Sequence, residues 1–345
     1  MSVPSLFETL DFGPYLDIAA HSAASAHASQ LLENQDNLVL IDANGRAVIM
    51  HAQIERALQL PNWPRGHVRL AVLDGMGGHG YGRQAAEAVA AGLLRTPACV
   101  QLDELTARLD ALHAQLQQQF GIPDSPGQRG RPNQPGPASD SRRPGTTLTL
   151  LELPPGAAPL LYHVGDSRLY EITREQAKVL TIDHVPATAF AMQGLLDARE
   201  WWRQVHGEHR SQIAQAFILG NAFADPQRLD DALCALGGAR LPGFLQPLAD
   251  RRAIAVRRDA VYLLATDGFW ACHRPQDWIS QWPQLLGGAA SAAGAVDALF
   301  GSYRCAPPPG LHLDNLTAIA LRFGAGRGPG NIDETALPLA TLLPF

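Results

Sequence analysis

Residues 67–80 read His-Val-Arg-Leu-Ala-Val-Leu-Asp-Gly-Met-Gly-Gly-His-Gly. The run His67–Leu73 is largely apolar and β-prone, and it passes directly into Asp74 and a glycine-rich turn. An alanine-rich helix should follow, from about Tyr81 to Leu94. A strand of this kind delivers a carboxylate to the edge of a sheet. The glycine behind it lets an ion or a substrate approach the backbone.

Outward from this stretch the pattern repeats in other forms. Asn37–His51 reads as two short strands around the turn Asp42-Ala43-Asn44-Gly45. Leu102, Leu105, Leu109, Leu112 and Leu116 recur at helical spacing and predict a helix over Leu102–Phe120. Thr146–Leu153, Leu160–Ile172 and Val179–Ile182 are strand-like, and residues 187–219 look helical. Arg252–Val256 and Ala260–Thr266 suggest a hairpin, helices are expected over Pro275–Leu286 and Ala290–Tyr303, and Asn315–Phe323 should be a closing strand. The elements come in blocks rather than in strict alternation, which favours antiparallel sheets flanked by helices. Residues 121–144 differ in kind: six prolines, four glycines and four arginines (Arg129, Arg131, Arg142, Arg143) leave almost nothing apolar to offset the entropy of ordering. They read as a solvated insertion, with the arginines available to an acidic partner. The expected division is an N-terminal segment 1–18, one domain 19–323 carrying the insertion, and a Gly/Pro-rich tail 324–345.

The chain has 345 residues, 33 acidic and 27 basic side chains, and a net charge of −6. All the basic residues but Lys178 are arginine. A mildly acidic balance argues against a general nucleic-acid binder, which needs a cationic surface. No stretch approaches the ~20 apolar residues that span a bilayer. The first twenty residues hold Glu8, Asp11 and Asp17 without Lys or Arg, unlike a secretory signal. Cys99, Cys234, Cys272 and Cys305 are scattered with no CxxC pair, so reduced thiols in a cytoplasmic protein are expected.

The chemistry lies in five aspartates, Asp36, Asp74, Asp166, Asp267 and Asp314, four of them directly beside an apolar β-like run. Taken singly, each is a turn former. Gathered in one place, five carboxylates would repel one another and their pKa values would rise unless cations were present. Oxygen-only ligands suit Mg²⁺ or Mn²⁺ rather than zinc. The physical reading is a two-metal site acting on a phosphoryl group.

The ordered set NQDN, VLDGMGGHG, GTTLTLLEL, YHVGDSRLY, TIDH, AFILGN, LLATDGFW and DNLTAIAL resembles the type 2C metal-dependent Ser/Thr protein phosphatases, bacterial members above all. The resemblance runs from about Leu32 to Phe323. It implies an α+β fold, a four-layer α-β-β-α sandwich of two antiparallel sheets flanked by helix pairs. It implies a centre of two Mn²⁺ or Mg²⁺ ions, with a third, weaker position. Asp74 would bridge the ions and the Gly75 carbonyl would ligate one. Asp36, Asp267 and Asp314 would complete the set, and Asp166 with Asp267 would serve the third ion. Gly145-Thr146-Thr147 would support the floor. Residues from about 187 to 207 would form a flap beside the cleft, where Trp201 and Trp202 could pack in a helix or touch a peptide. The implied activity is hydrolysis of phosphoserine and phosphothreonine in proteins by in-line attack of a metal-activated water, by a monomer opposing a bacterial Ser/Thr kinase, with neither nucleic acid nor membrane as partner.

Two positions depart from the family pattern. Leu31 stands where members commonly carry a phosphate-gripping arginine, and Gln35 where they carry a glutamate. Met76 stands where some have a histidine, which leaves His79 as the candidate general acid and His184 as a weaker one. The alternative is a degenerate phosphatase that binds phosphoproteins as a regulatory module. Retention of the aspartates speaks against it, since an idle site has no need of such costly carboxylates.

Overall fold

Asn37–Ile41 is buried at every position, and its side chains alternate between two cores. Leu38 and Leu40 face one apolar cluster, Val39 and Ile41 another. A strand covered on both faces must lie inside a layered structure. The structure is a computed structural model that describes residues 5–25, 33–77, 81–120, 144–210, 212–225 and 229–324.

In chain order the strands are β1 (Leu16–Ala23), β2 (Asn37–Ile41), β3 (Arg46–His51), β4 (Ile54–Gln59), β5 (Val68–Leu73), β6 (Gly75–Met76), β7 (Gly145–Thr146), β8 (Leu148–Leu153), β9 (Leu160–Val164), β10 (Arg168–Ile172), β11 (Ala177–Val179), β12 (Gln215–Ala216), β13 (Gly220–Asn221), β14 (Arg251–Ala253), β15 (Val261–Ala265) and β16 (Leu316–Phe323). The helices are α1 (Tyr81–Arg95), α2 (Leu102–Phe120), α3 (Pro186–Met192), α4 (Ala198–Trp202), α5 (Pro275–Ile279), α6 (Trp282–Leu286) and α7 (Ala292–Cys305). The described strands form a seven-stranded sheet in the order β14-β9-β8-β5-β2-β3-β4 and a five-stranded sheet in the order β1-β16-β15-β10-β11. All pairings in both are antiparallel.

Period-two alternation sorts the side chains into layers. Leu70 and Val72 of β5 meet Tyr262 and Leu264 of β15 and Ile319 and Leu321 of β16 in the core between the sheets. The opposite face of the larger sheet packs on α1 and α2 through Val89, Leu93, Leu105 and Leu109. The opposite face of the smaller sheet packs on α5, α6 and α7 through Trp278, Trp282, Leu299 and Tyr303. Each such buried side chain contributes about 1.5–3 kcal/mol. The expected α-β-β-α sandwich is the observed architecture.

The chain crosses between sheets at two places where continuous structure was expected. Leu160–Ile172 is not one strand: Gly165, at φ +112°, turns it so that β9 and β10 join different sheets. Residues 252–266 are not a hairpin either, because β14 pairs with β9 while β15 lies between β10 and β16. Arg251 holds β14 to the larger sheet, with its guanidinium over the Tyr162 ring and 2.9 Å from Asp110.

Other elements also depart from expectation. Helical structure in 187–219 stops at Gly207: Gly194 at φ +75° ends α3, Asp197 caps α4, and a π-helical turn Arg203–Gly207 precedes the small β12–β13 pair. The helix expected over Pro275–Leu286 breaks at Ser280–Gln281, because Pro283 carries no N–H to continue it. The sequence reading missed β1 and β4. β1 begins at Leu16, ahead of the expected boundary at residue 19, and Phe7 reaches the inter-sheet core. No described helix is long and apolar enough to cross a membrane.

Candidate active site

Strand register brings the aspartates together in pairs. β2 and β5 run antiparallel with Asn37 opposite Leu73, so Asp36 and Asp74 flank the last pair at one end of the larger sheet. In the smaller sheet Arg168 lies opposite Ala265, with Asp166 and Asp267 two residues beyond at that end. Asp314 directly precedes Asn315 and the start of β16. The two sheet ends meet at a hydrogen bond: the Thr266 hydroxyl donates to Asp36 Oδ2 at 2.8 Å.

Other polar groups fix the carboxylates' backbone. The Asp74 N–H donates to Thr147 Oγ1 at 2.9 Å, and Asp74 O accepts the Thr147 N–H at 2.9 Å. The Thr147 and Ser167 hydroxyls are 2.7 Å apart. Asn315 Oδ1 accepts the Gln35 N–H at 2.8 Å, while its Nδ2 donates to Ala24 O and Glu33 O. Gly75 has room for no side chain, since a Cβ there would lie 2.5 Å from Gln35 O and would also strike Gly82 O. That packing draws the start of α1 close behind Asp74. Gly145–Thr146 pairs with Gly75–Met76, directly after Asp74 in the chain.

The electrostatics are those of crowded acids, Asp36 and Asp267 buried and Asp74, Asp166 and Asp314 half-buried. Burial, opposed by hydrogen bonds from Thr266 and Thr317, pushes Asp36 up to about 8, and Asp314 and Asp267 add to the rise. Burial and the Asp314 charge push Asp267 up to about 6. Asp74 and Asp166 lie well above the ordinary carboxylate range, again through burial first and Asp267 second. Burial raises Asp314 as well. Arg168 is the nearby cation that eases Asp166 and Asp267, yet its own guanidinium is engaged by Asp183 at 2.7 Å and lies 4.6 Å from the Trp270 ring centroid. Buried oxygen donors with this unbalanced negative charge fit hard divalent cations. Among the described residues no three His, Cys, Asp or Glu side chains close into a metal-binding group. An ion that keeps several waters and takes one or two carboxylates needs no such cage.

The structure thus brings Asp36, Asp74, Gly75, Asp166, Asp267 and Asp314 to one end of the sandwich. His79 and Leu31 lie outside the described residues, as do 121–143 and 325–345. His184 is fully buried beside the site: its Nδ1 accepts the Gly165 N–H at 3.2 Å, and its Nε2 stands 3.4 Å from Asp250. Its surroundings are those of a packing group. Trp201 is buried, with its indole N–H donated to Thr188 Oγ1 at 3.0 Å, so it packs α4 against α3.

Sequence reading missed His209. Its Nε2 is 3.8 Å from Asp267 Oδ2 and its ring centroid 5.9 Å from that of His312. Burial, with His312 and Arg168 nearby, lowers it to about 4, so the contact is a neutral imidazole facing a carboxyl. A lone histidine in a polar loop gives no sequence signal. Thr266 and Asn315 stood inside quoted motifs, but the residues they hold at the site, Asp36 and Gln35, are 230 and 280 positions away.

No family model and no curated protein sequence matches the chain. Solved structures do. The serine/threonine phosphatase Stp1 of Staphylococcus aureus is 16% identical, with a TM-score of 0.56 over 91% of this chain and 98% of its own. PppA, a regulatory component of T6SS in Pseudomonas aeruginosa, is 21% identical, with a TM-score of 0.52 over 90% and 99%. The chain has the fold of bacterial serine/threonine phosphatases. The catalytic domain of the phosphatase PstP, solved with two manganese ions, is also similar, at 21% identity and a TM-score of 0.51 over 90% and 98%.

Proposed function

We propose that the chain is a metal-dependent protein phosphatase acting on phosphoserine and phosphothreonine, and that it opposes a Ser/Thr kinase. The observation that carries this is the convergence of Asp36 and Asp74 from one sheet with Asp166 and Asp267 from the other, joined by the Thr266–Asp36 hydrogen bond. The fold likeness to phosphatases, one of them holding two manganese ions, supports it. Two Mn²⁺ or Mg²⁺ ions would be held by Asp36, Asp74, the Gly75 carbonyl, Asp267 and Asp314, with Asp166 at a third position. When bound, such ions supply Lewis-acid charge to phosphate oxygens and lower the pKa of water.

The chain's own groups prepare that site. Thr266 and Thr147 hold Asp36 and the Asp74 backbone in place. Asn315 ties the segment of Gln35, just ahead of β2, to the start of β16, so the two halves of the carboxylate set cannot part without breaking it. Such prior ordering matters because positioning, more than covalent chemistry, is what a protein contributes to phosphoryl transfer. The test is hydrolysis of a phosphopeptide with Mn²⁺. Turnover should vanish on chelation and in Asp74→Asn, and calorimetry should show tight divalent binding lost in that variant. Turnover that survives both treatments would refute the assignment. A folded protein without turnover or divalent binding would instead indicate a phosphoprotein-binding module.

A further inference from the structure

We propose that the trough on the Asp314 side of the carboxylate cluster receives an aliphatic side chain of the substrate, borne by a neighbour of the phosphorylated residue. This deepens the phosphatase reading and rests on it. The trough, about 230 Å³, is lined by Pro308, Leu311, Leu313 and Leu316 together with His312, Gly268 and Asp314. It is smaller than the roughly 300–1,000 Å³ of a small-molecule pocket, a size suited to a side chain. Leu313 is 46% exposed, an apolar surface that water covers poorly.

The walls are built before any ligand arrives. Gly310 adopts φ +69°, where a Cβ would collide with the His273 ring, so the loop turns tightly against the residues that follow Asp267. The His312 N–H donates to Ala271 O at 2.7 Å and the Leu311 N–H to Pro308 O at 3.2 Å. A wall already ordered spares binding the entropy of forming it.

The two flanks of the centre differ chemically. The cavity on the Asp166 side sets Arg168, Glu208, His209 and Arg210 among Phe190 and Trp270, so it offers ionic partners as well as apolar wall. The described lining of the Asp314 trough contains no Lys or Arg, and Asp314 is its one acid. An acidic side chain placed there would lose water and meet the Asp314 carboxylate. Free phosphate has no apolar part to lay along Leu311 and Leu313. The occupant that joins both requirements is a peptide with phosphate on one residue and a branched aliphatic group on the next ones.

The experiment compares kcat/KM for phosphoserine peptides carrying Leu, Ala, Asp or Lys at neighbouring positions, with an aryl phosphate as control, for the wild-type chain with Mn²⁺ and for Leu313→Ser. Leu313 is exposed and outside the carboxylate set, so the variant should fold, and the Leu-to-Asp ratio is read within each protein so that any change common to all substrates cancels. The expected result is a preference of about tenfold for Leu over Asp on one side of the phosphoserine, reduced to near parity in Leu313→Ser. Equal rates across the peptides while the aryl phosphate is hydrolysed would overturn the trough's role and leave the phosphatase reading standing. So would Leu313→Ser slowing peptides and aryl phosphate alike. No turnover of any substrate by the wild type would overturn the phosphatase reading, and the trough's role with it.

Discussion

Thr266 does at the scale of one residue what the sandwich does as a whole: it joins the two sheets where the carboxylates meet. Its hydroxyl donates to Asp36 from the smaller sheet, and its Oγ1 accepts the Thr317 N–H at 3.0 Å. Asp36 is already pushed up to about 8 by burial, and this bond is the largest influence pulling the other way. Thr266→Val keeps the side chain's shape and removes the donor. Asp36 should then hold its proton more firmly, and a divalent ion, which needs the carboxylate, should bind more weakly. Unfolding free energy should fall by about 1–3 kcal/mol, the range for a buried hydrogen bond lost to an ionisable group. Thr266→Ser should restore most of both. Calorimetric titration with Mn²⁺ and urea unfolding read the two effects, and unchanged metal affinity in the valine variant would show that this hydroxyl does not set the Asp36 proton.

Elements are held to one another by a second buried charge set, far from the aspartates. Arg69 on β5 lies opposite Glu152 on β8, and its guanidinium is 2.6 and 2.8 Å from that carboxylate. The same guanidinium donates to Leu93 O, Thr96 O and Pro97 O at the C-terminal end of α1, where unpaired helix carbonyls need donors. Burial would raise Glu152, but the Arg69 charge and the His67 and Arg69 hydrogen bonds outweigh it and keep the acid ionised. Glu152→Gln would leave Arg69 buried and uncompensated, at a cost of about 3–5 kcal/mol. Urea unfolding should show the midpoint shifted with the slope preserved, while the aspartate set stays intact. These elements also show what could be read in advance. α2 was legible from its leucines, and β2, β3 and β5 from β-prone runs broken by turns, because periodicity is a local signal. β1 was not, since Leu16–Ala23 is only half-buried and owes its state to eight pairs with β16 at the other end of the chain. The destinations of β10 and β14 were hidden for the same reason: Gly165 announces a turn, not the sheet to which the chain turns. At the site the aspartates were visible as motifs, while His209 and the partners of Asn315 depend on tertiary approach alone.

For the whole molecule, placing one end of a sandwich under five buried or half-buried carboxylates makes stability depend on pH in an unusual sense. Most acids in folded proteins have depressed pKa values and stabilise as pH rises. Here Asp36 is raised from 3.8 to about 8 and Asp267 from 3.8 to about 6, with Asp74, Asp166 and Asp314 raised as well. In that window the folded chain without metal binds more protons than the unfolded one, so unfolding free energy falls as pH rises. The loss begins near the unfolded value of 3.8 and, for Asp36, continues to about 8. A divalent ion replaces those protons and reverses the trend, because it binds the folded state alone and needs the ionised groups. Thermal unfolding with chelator should therefore show Tm decreasing from mildly acidic to mildly alkaline pH. Added Mn²⁺ should raise Tm, and by more at the alkaline end than at the acid end. Asp74→Asn removes one of the mutually repelling charges, so it should flatten the chelator profile and shrink the Mn²⁺ shift together. A Tm that climbs with pH in chelator, or a Mn²⁺ shift independent of pH, would mean that the five aspartates are not massed at the end of the sandwich as uncompensated acids.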